Sequence, residues 1–304
     1  MKTLNLAYPE KSDIKYRVDK FPDGQQQVVI NRIWFDGKTD ESLDRHISKF
    51  SIQIKARLNT FTDLELIICA TKSLRNLGVK EIHLYTPYFL GARSDRQFES
   101  GSNNYLKDII CPIINSLEFD SVTVLDPHSD VLEACLNNFK KENNGRLVTF
   151  ALDSLYGNYS TLKRLEHRHI LVSPDAGASK KIYKIAEKIG YKGEIITCSK
   201  SRDEQGKLNK VEIPGLLKDS INKQDIIIID DICDGGATFI NITKAFKDRG
   251  CKSKIYLIVT HGIFSKGFET LSKYFNGIYC TNSYKDIKPG DDYDSDLVKQ
   301  LNIF

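Results

Sequence analysis

Several things are missing from this sequence, and each absence narrows what the chain is. No two of its seven cysteines, Cys69, Cys111, Cys135, Cys198, Cys233, Cys251 and Cys280, are spaced as CxxC. That spacing serves zinc ribbons and dithiol redox sites, so both are set aside, and the thiols read as free in a reducing compartment. No apolar run approaches the roughly 20 residues of a membrane span. The first residues, MKTLNLAYPEKSD, lack the apolar core of a signal peptide. The expectation is a cytoplasmic protein with no membrane partner. Charge of one sign is not in excess either: 44 Lys and Arg against 40 Asp and Glu leave a net +4. This is too mild to argue for nucleic acid and suits a few cations gathered around phosphates. No Ser–His pair suited to nucleophilic catalysis is evident. What is present, 304 residues of which 40% are hydrophobic, suffices for two globular cores.

The chain is organised around Asp225–Thr238, DIIIIDDICDGGAT. Four consecutive isoleucines are too few to cross a membrane and too apolar for a surface strand, so they read as a parallel strand buried on both faces. Asp230 and Asp231 then fall at its carboxyl end, where open α/β sheets place ligands. Gly235 and Gly236 permit a tight bend that turns several N–H groups toward one point, and Thr238 opens a helix starting near Phe239. Hydroxyl-binding carboxylates followed by an amide-lined anion cradle suit a sugar phosphate.

The rest of the chain alternates strand and helix. Short strands within Met1–Ile33 flank a turn at Phe21–Gln25, FPDGQ. A strand near Phe50–Ile54 precedes a helix over Thr62–Leu77, with Leu64, Ile67, Ile68, Thr71 and Leu74 on one face and Gly78 stopping it. After the strand EIHLYTPY, the loop GARSDR carries Arg93, Ser94 and Arg96, and guanidinium groups past a strand end suit a polyphosphate. A helix near Tyr105–Leu117 and the strand SVTVLD lead to His128, placed to bridge a metal or contact phosphate. The polar stretch Asn137–Arg146 reads as the joint between halves, and the pattern then restarts. The strand HILVS runs into PDAGA, where Asp175 suits Mg²⁺ or a ribose hydroxyl. Lys200–Glu212, charged and without periodicity, reads as a mobile loop whose Lys200 and Arg202 would close over a transferring phosphoryl group. His261 reads as structural, and the last residues, DYDSDLVKQLNIF, as a short helix and tail.

In this order the pieces resemble the ribose-phosphate diphosphokinase family, over nearly the whole chain. FPDGQ resembles the family's FxDGE turn, GARSDR its ARQDR loop and DPHS its DxHS site. SPDAGASKK resembles its PDxGxxK segment, SKSR its KRR loop, and DDICDGGAT its DDxxDTxGT loop. The resemblance implies an α/β fold of two phosphoribosyltransferase-like domains, each a mainly parallel sheet flanked by helices, with boundaries at 1–146 and 147–304. It implies transfer of the β,γ-diphosphate of Mg-ATP to the anomeric hydroxyl of a ribose 5-phosphoryl substrate, with the site between the domains. It also implies small-molecule substrates and a homo-oligomer, at least a dimer. Phe21, Asp23 and Gln25 would meet adenine, and Arg93, Ser94 and Arg96 the ATP phosphates. His128 and Asp175 would place Mg²⁺, with Lys200, Arg202 and His128 catalytic. Asp230 and Asp231 would hold ribose hydroxyls, and Asp234, Gly235, Gly236, Ala237 and Thr238 the 5-phosphate.

The departures matter as well. Gly235 stands where the family has Thr, Ala237 where it has Gly, Ser201 where a second basic residue is common, and Gln25 where it has Glu. After DPHS the family's glutamine and GFF segment are missing, which puts its usual subunit contacts and phosphate/ADP regulation in doubt. Losing Thr at 235 is expected to open the pocket on the phosphate's outer side, admitting a ribose whose 5-phosphate carries more. ADP-ribose, giving ADP-ribose 1-pyrophosphate for rebuilding NAD, is therefore slightly favoured over ribose 5-phosphate as acceptor. A phosphoribosyltransferase and a non-catalytic regulator of the same fold are the rival readings.

Overall fold

The computed structural model describes residues 1–30, 49–157, 168–202, 208–214, 222–288 and 296–304, with 200–202 and 208–210 described by backbone alone. The chain divides into two compact units, Met1–Glu142 with Phe304, and Asn143–Ile303.

In the first unit the elements are, in order, β1 (Lys2–Asn5), β2 (Tyr16–Lys20), β3 (Gln26–Ile30), β4 (Ile52–Lys55), α1 (Phe61–Asn76) and β5 (Ile82–Tyr85). Then come α2, which begins as a π-type turn at Leu106–Ile110 and continues as Cys111–Asn115, β6 (Ser121–Leu125), α3 (Val131–Cys135) and β7 (Phe139–Glu142). Five strands pair in parallel in the order β1-β4-β5-β6-β7. β2 and β3 form a separate antiparallel hairpin, the one expected around FPDGQ. α1 opens with a capping box in which Thr60 and Asp63 satisfy each other's backbone N–H. It buries Leu64, Ile67, Ala70, Thr71 and Leu74 on the face that the sequence marks, with Ile68 only half-buried at the margin. The stretch Asn137–Arg146, expected as a joint, contains the division between the units after Glu142, and its first part forms β7, an edge strand whose two central lysines are exposed. Such charge is how edge strands avoid further pairing.

The second unit adds α4 (Gly145–Tyr156), β8 (His169–Ser173), α5 (Ala176–Ile189), β9 (Ile195–Thr197), β10 (Ser199–Arg202), β11 (Leu208–Glu212), β12 (Asp225–Cys233) and α6 (Ala237–Asp248). β13 (Ile255–Gly262), α7 (Glu269–Ser272), β14 (Gly277–Thr281) and β15 (Val298–Leu301) complete it. Its six-stranded parallel sheet runs β15-β14-β13-β12-β8-β9. The isoleucine run behaves as its composition predicts. Ile226 and Ile228 pack on one face with Phe239, Ile242 and Phe246 of α6. Ile227 and Ile229 pack on the other with Leu147, Val148 and Leu152 of α4 and Ile182 and Ile185 of α5. Each fully buried isoleucine contributes about 1.5–3 kcal/mol, so the strand that carries the acid pair is anchored from both sides.

Three expectations need correcting. Residues 298–301 are not helical: they add β15 to the sheet edge in register with β14. Four residues are too few for periodicity to separate the two states. Residues 292–295 of that expected helix lie outside the described residues, as do 31–33 of the first stretch. The expected loop at Lys200–Glu212 contains an antiparallel ribbon, β10 with β11, that pairs Lys200 with Val211 and bulges between Ser201 and Arg202. Backbone pairing makes this ribbon, and its polar sequence shows no alternation to announce it. Residues 203–207, and the side chains of Lys200 and Arg202, are outside what is described. Finally α4, twelve residues with Leu147, Val148, Ala151 and Leu152 buried, begins at Gly145, so the end of the joint is helical rather than irregular. His261 is structural as expected: it is buried, with Nδ1 2.8 Å from Ser283 Oγ.

Candidate functional site

The second unit concentrates its charge at one end of β12. The strand runs past the acid pair to Cys233, so Asp230 and Asp231 are its sixth and seventh residues of nine rather than lying beyond it, Asp230 opposite Val259. Asp231 is buried and ion-paired with Lys181 of α5, Nζ to Oδ2 3.3 Å. Its own N–H donates to Asp230 Oδ1 at 2.9 Å. Burial first, then the neighbouring Asp231 charge, push the Asp230 carboxyl well above its usual range, and Asp175 adds to this. Three carboxylates thus share one electrostatic environment, and Lys181 pairs with one of them.

Asp175 begins α5. Its Oδ1 accepts the Ala178 N–H at 2.9 Å, and its carbonyl accepts the Ser173 hydroxyl at 2.7 Å. The helix therefore starts at Ala176, inside the PDAGA segment. Crowded hard oxygen donors fit Mg²⁺, which relieves their repulsion and is ordinarily held by one or two carboxylates plus substrate phosphates. In keeping with that mode, no three His, Cys, Asp or Glu side chains form a metal cage among the described residues.

Behind the acid pair the chain bends at Asp234–Gly235–Gly236. Gly236 has φ +78°, and a Cβ there would lie 2.6 Å from Leu271 Cδ2, so only glycine fits. α6 follows directly at Ala237, two residues before the expected start near Phe239, and Thr238 lies inside its first turn. No side chain caps this helix. Its first internal bond is from Ile240 N–H to Gly236 C=O at 3.0 Å. The amides of Ala237, Thr238 and Phe239 are left as donors. Ala237 is exposed and Asp234, Gly235 and Thr238 are half-buried, so an anion can approach.

The missing side chain at Gly235 does not leave an open notch, which corrects the expectation of a widened pocket. A Cβ there would meet Lys266 Cδ at 3.2 Å and Cε at 3.3 Å. The stem of this lysine occupies the space a threonine would take.

In the first unit, Phe21 sits at the hairpin tip, 45% exposed, with its N–H donating to Gln25 C=O at 2.8 Å. Asp23 Oδ1 accepts the Gln25 N–H at 3.2 Å. The GARSDR loop follows β5. Gly91, at φ +79°, lies against Tyr105, Ser94 donates its N–H to Gly91 C=O at 2.8 Å, and Leu106 donates to Ser94 C=O at 3.1 Å. Arg93 and Arg96 are exposed, the latter with its guanidinium carbon 5.3 Å from the Phe98 ring centre. After β6, Asp126 is buried at φ +42° and donates its N–H to Glu142 C=O at 2.7 Å, ahead of exposed His128. A left-handed aspartate at a strand end is a strained position of the kind found at functional sites. His128 thus belongs to the first unit and Asp175 to the second.

Sequence reading missed Lys181, Asp126 and Lys266. Lys181 is hidden among lysines of an ordinary amphipathic helix, and only the β12-β8 pairing that sets α5 beside Asp231 distinguishes it. Lys266 lies in the loop after β13, so the adjacency of β12 and β13 was the signal.

Residues 143–293 match the family described as the phosphoribosyl transferase domain. The chain is 28% identical over 214 residues to a ribose-phosphate pyrophosphokinase of Mycoplasmopsis pulmonis, covering 69% of this chain and 60% of that protein. It is 27% identical over 255 residues to one of Buchnera aphidicola, covering 83% and 72%. The match thus spans about three fifths of the first relative's length. Among solved structures, phosphoribosylpyrophosphate synthetase from Mycobacterium smegmatis superposes with a TM-score of 0.76, at 16% identity, over 99% of this chain and 95% of that one. This last likeness shows the fold.

Proposed function

We propose that this chain is a ribose-phosphate pyrophosphokinase, transferring the β,γ-diphosphate of ATP to the anomeric hydroxyl of a ribose 5-phosphate and releasing AMP. The carrying observation is the uncapped start of α6 behind an acid pair in which Asp231 is buried and Asp230 half-buried, which offers N–H donors to a phosphate and carboxylates to vicinal hydroxyls within a few residues. Asp230 and Asp231 take the ribose hydroxyls, and the bend from Asp234 through Gly235, Gly236 and Ala237 to Thr238 takes the 5-phosphate. The Lys181 ammonium 3.3 Å from Asp231 favours the hydrogen-bond-accepting form of that carboxylate.

In the reaction the anomeric oxygen attacks the β-phosphorus, the bond from that phosphorus to the α,β-bridging oxygen breaks, and the sugar hydroxyl gives up its proton. Such transfers depend on positioning and charge neutralisation rather than on a covalent enzyme intermediate. In this reading Phe21, Asp23 and Gln25 receive adenine, and Arg93, Ser94 and Arg96 bind the polyphosphate. His128 and Asp175 hold Mg²⁺, which neutralises phosphate charge when bound. Lys200 and Arg202 stabilise the charge that builds on the transferred group.

ADP-ribose is the second reading for the acceptor. It is favoured by the exposure of Ala237 on the outer side of the bend, while the names of the relatives favour ribose 5-phosphate. Incubation with Mg-ATP and each sugar, followed by chromatography for AMP, decides between them. AMP formation with neither acceptor, in the presence of protein that binds ATP, sinks the kinase reading. Pyrophosphate release from a diphosphorylated ribose plus a base would then favour a phosphoribosyltransferase.

A further inference from the structure

The loop after β13 is built to hold a cation over the phosphate bend. Cys233 C=O, the last carbonyl of β12, accepts two N–H groups from this loop, Ile263 at 2.9 Å and Phe264 at 3.2 Å. Phe264 is buried, at φ +46°, and its ring packs against Phe268 in a tilted arrangement with centroids 4.7 Å apart. Gly267 N–H closes the turn onto Phe264 C=O at 3.1 Å. A non-glycine residue held in the left-handed region costs about 1–3 kcal/mol and persists only where its surroundings impose it. The outcome of this construction is that Ser265 and Lys266 occupy the exposed tip of a pinned turn. From there the Lys266 stem lies along Gly235, its Cγ, Cδ and Cε all within 3.6 Å of the position a Cβ would take.

We propose that Lys266 is an acceptor-binding residue: its ammonium group binds the 5-phosphoryl group seated in the Asp234–Thr238 bend. This inference rests on the function proposed above and deepens it. Gly235 is then required because a β-branched side chain there would displace the lysine stem. A charged donor takes over from the threonine hydroxyl that the motif otherwise carries at this position. The helix N-terminus supplies neutral N–H donors, whereas Lys266 supplies a full charge, and charge-assisted bonds to phosphate are roughly twice as strong as neutral ones. A point charge on a flexible stem also accommodates a phosphomonoester or the first phosphoryl of a diphosphate ester equally well.

The test is Lys266→Met, which keeps the stem and removes the charge, measured by calorimetric titration of ribose 5-phosphate without ATP and by steady-state kinetics. Dissociation constant and acceptor KM should rise together, roughly ten- to a hundredfold, with kcat and the KM for ATP within about twofold. Lys266→Arg should recover most of the loss, and Gly235→Thr should reproduce it with the lysine still present. Because Lys266 is exposed, the melting temperature should not move. Acceptor binding by Lys266→Met within twofold of the wild type overturns the assignment while leaving the function standing. Absence of any ribose 5-phosphate binding by the wild-type chain removes the function and the lysine's role together.

Discussion

Gly236→Ala isolates the geometric demand of the phosphate bend. Two separate costs are built in. At φ +78° an L-residue meets its own carbonyl, at about 1–2 kcal/mol. The new methyl would also stand 2.6 Å from Leu271 Cδ2, and Leu271 is buried with its neighbours packed. Forcing that much overlap on a core side chain costs about 1–3 kcal/mol, so the sum is about 2–5 kcal/mol. Gly250 is the control, since it lies in the same unit at φ +86° with nothing within 4 Å of a would-be Cβ. Gly250→Ala should therefore lose only the conformational share. Urea unfolding followed by far-ultraviolet circular dichroism compares the two variants. The acceptor KM should rise for Gly236→Ala alone, because only that substitution moves the N–H donors of α6. Equal destabilisation of the two variants would refute the claim that Leu271 closes the bend from behind.

Two pH-linked predictions follow from buried groups of the second unit. His169 is stacked between Tyr156 and Tyr191, with centroids 5.3 and 5.0 Å away, and burial lowers its pKa from 6.5 to about 4. The unfolded chain takes up this proton first, so stability is full above pH 6.5 and falls by about 3 kcal/mol between pH 6.5 and 4. His169→Phe should flatten that part of a urea-midpoint profile against pH, and an unchanged slope would assign it elsewhere. Asp230 shows the opposite sign. Its pKa is raised by burial and by Asp231, so its charge destabilises the fold above the folded pKa, and the penalty disappears as pH falls through it. Asp230→Asn should then be more stable at pH 7 by about 0.5–2 kcal/mol, in the range of single stabilising substitutions, with the gain gone in acid and acceptor turnover lost. A variant less stable than wild type at pH 7 would mean that the carboxylate is compensated in a way the Lys181 pair does not account for.

What the sequence made legible was whatever local chemistry determines. Four isoleucines read as a two-faced buried strand, and the apolar spacing from Leu64 to Leu74 with Gly78 beyond it marks α1 without help from elsewhere. The acid pair and the glycine bend were legible for the same reason, because a left-handed φ at Gly236 leaves no alternative residue. Less visible were elements defined by partners. β15 exists through its pairing with β14, β10 through its pairing with β11, and β7 through the edge it occupies beside β6. None has an internal pattern that distinguishes it from a polar loop.

The same division runs through the site, and it explains why the reading of Gly235 had to be reversed. A glycine in place of a larger residue looks like a vacancy when only the chain is read. Whether it is one depends on the neighbour that faces it, and here the facing neighbour comes from the next strand's loop, 31 positions onward in sequence at Lys266. Lys181 entered in the same way, from a helix that only the order of the sheet sets beside Asp231. Both residues are lysines drawn toward a region where three aspartates crowd together and a helix exposes its amides. An arrangement that keeps Asp230 against Asp231 at the expense of stability is one shaped for a ligand that satisfies them. In the proposed function the cations supplied from α5 and from the β13 loop would divide the work: Lys181 pairs with the carboxylate assigned to the sugar, and Lys266 would meet the phosphate.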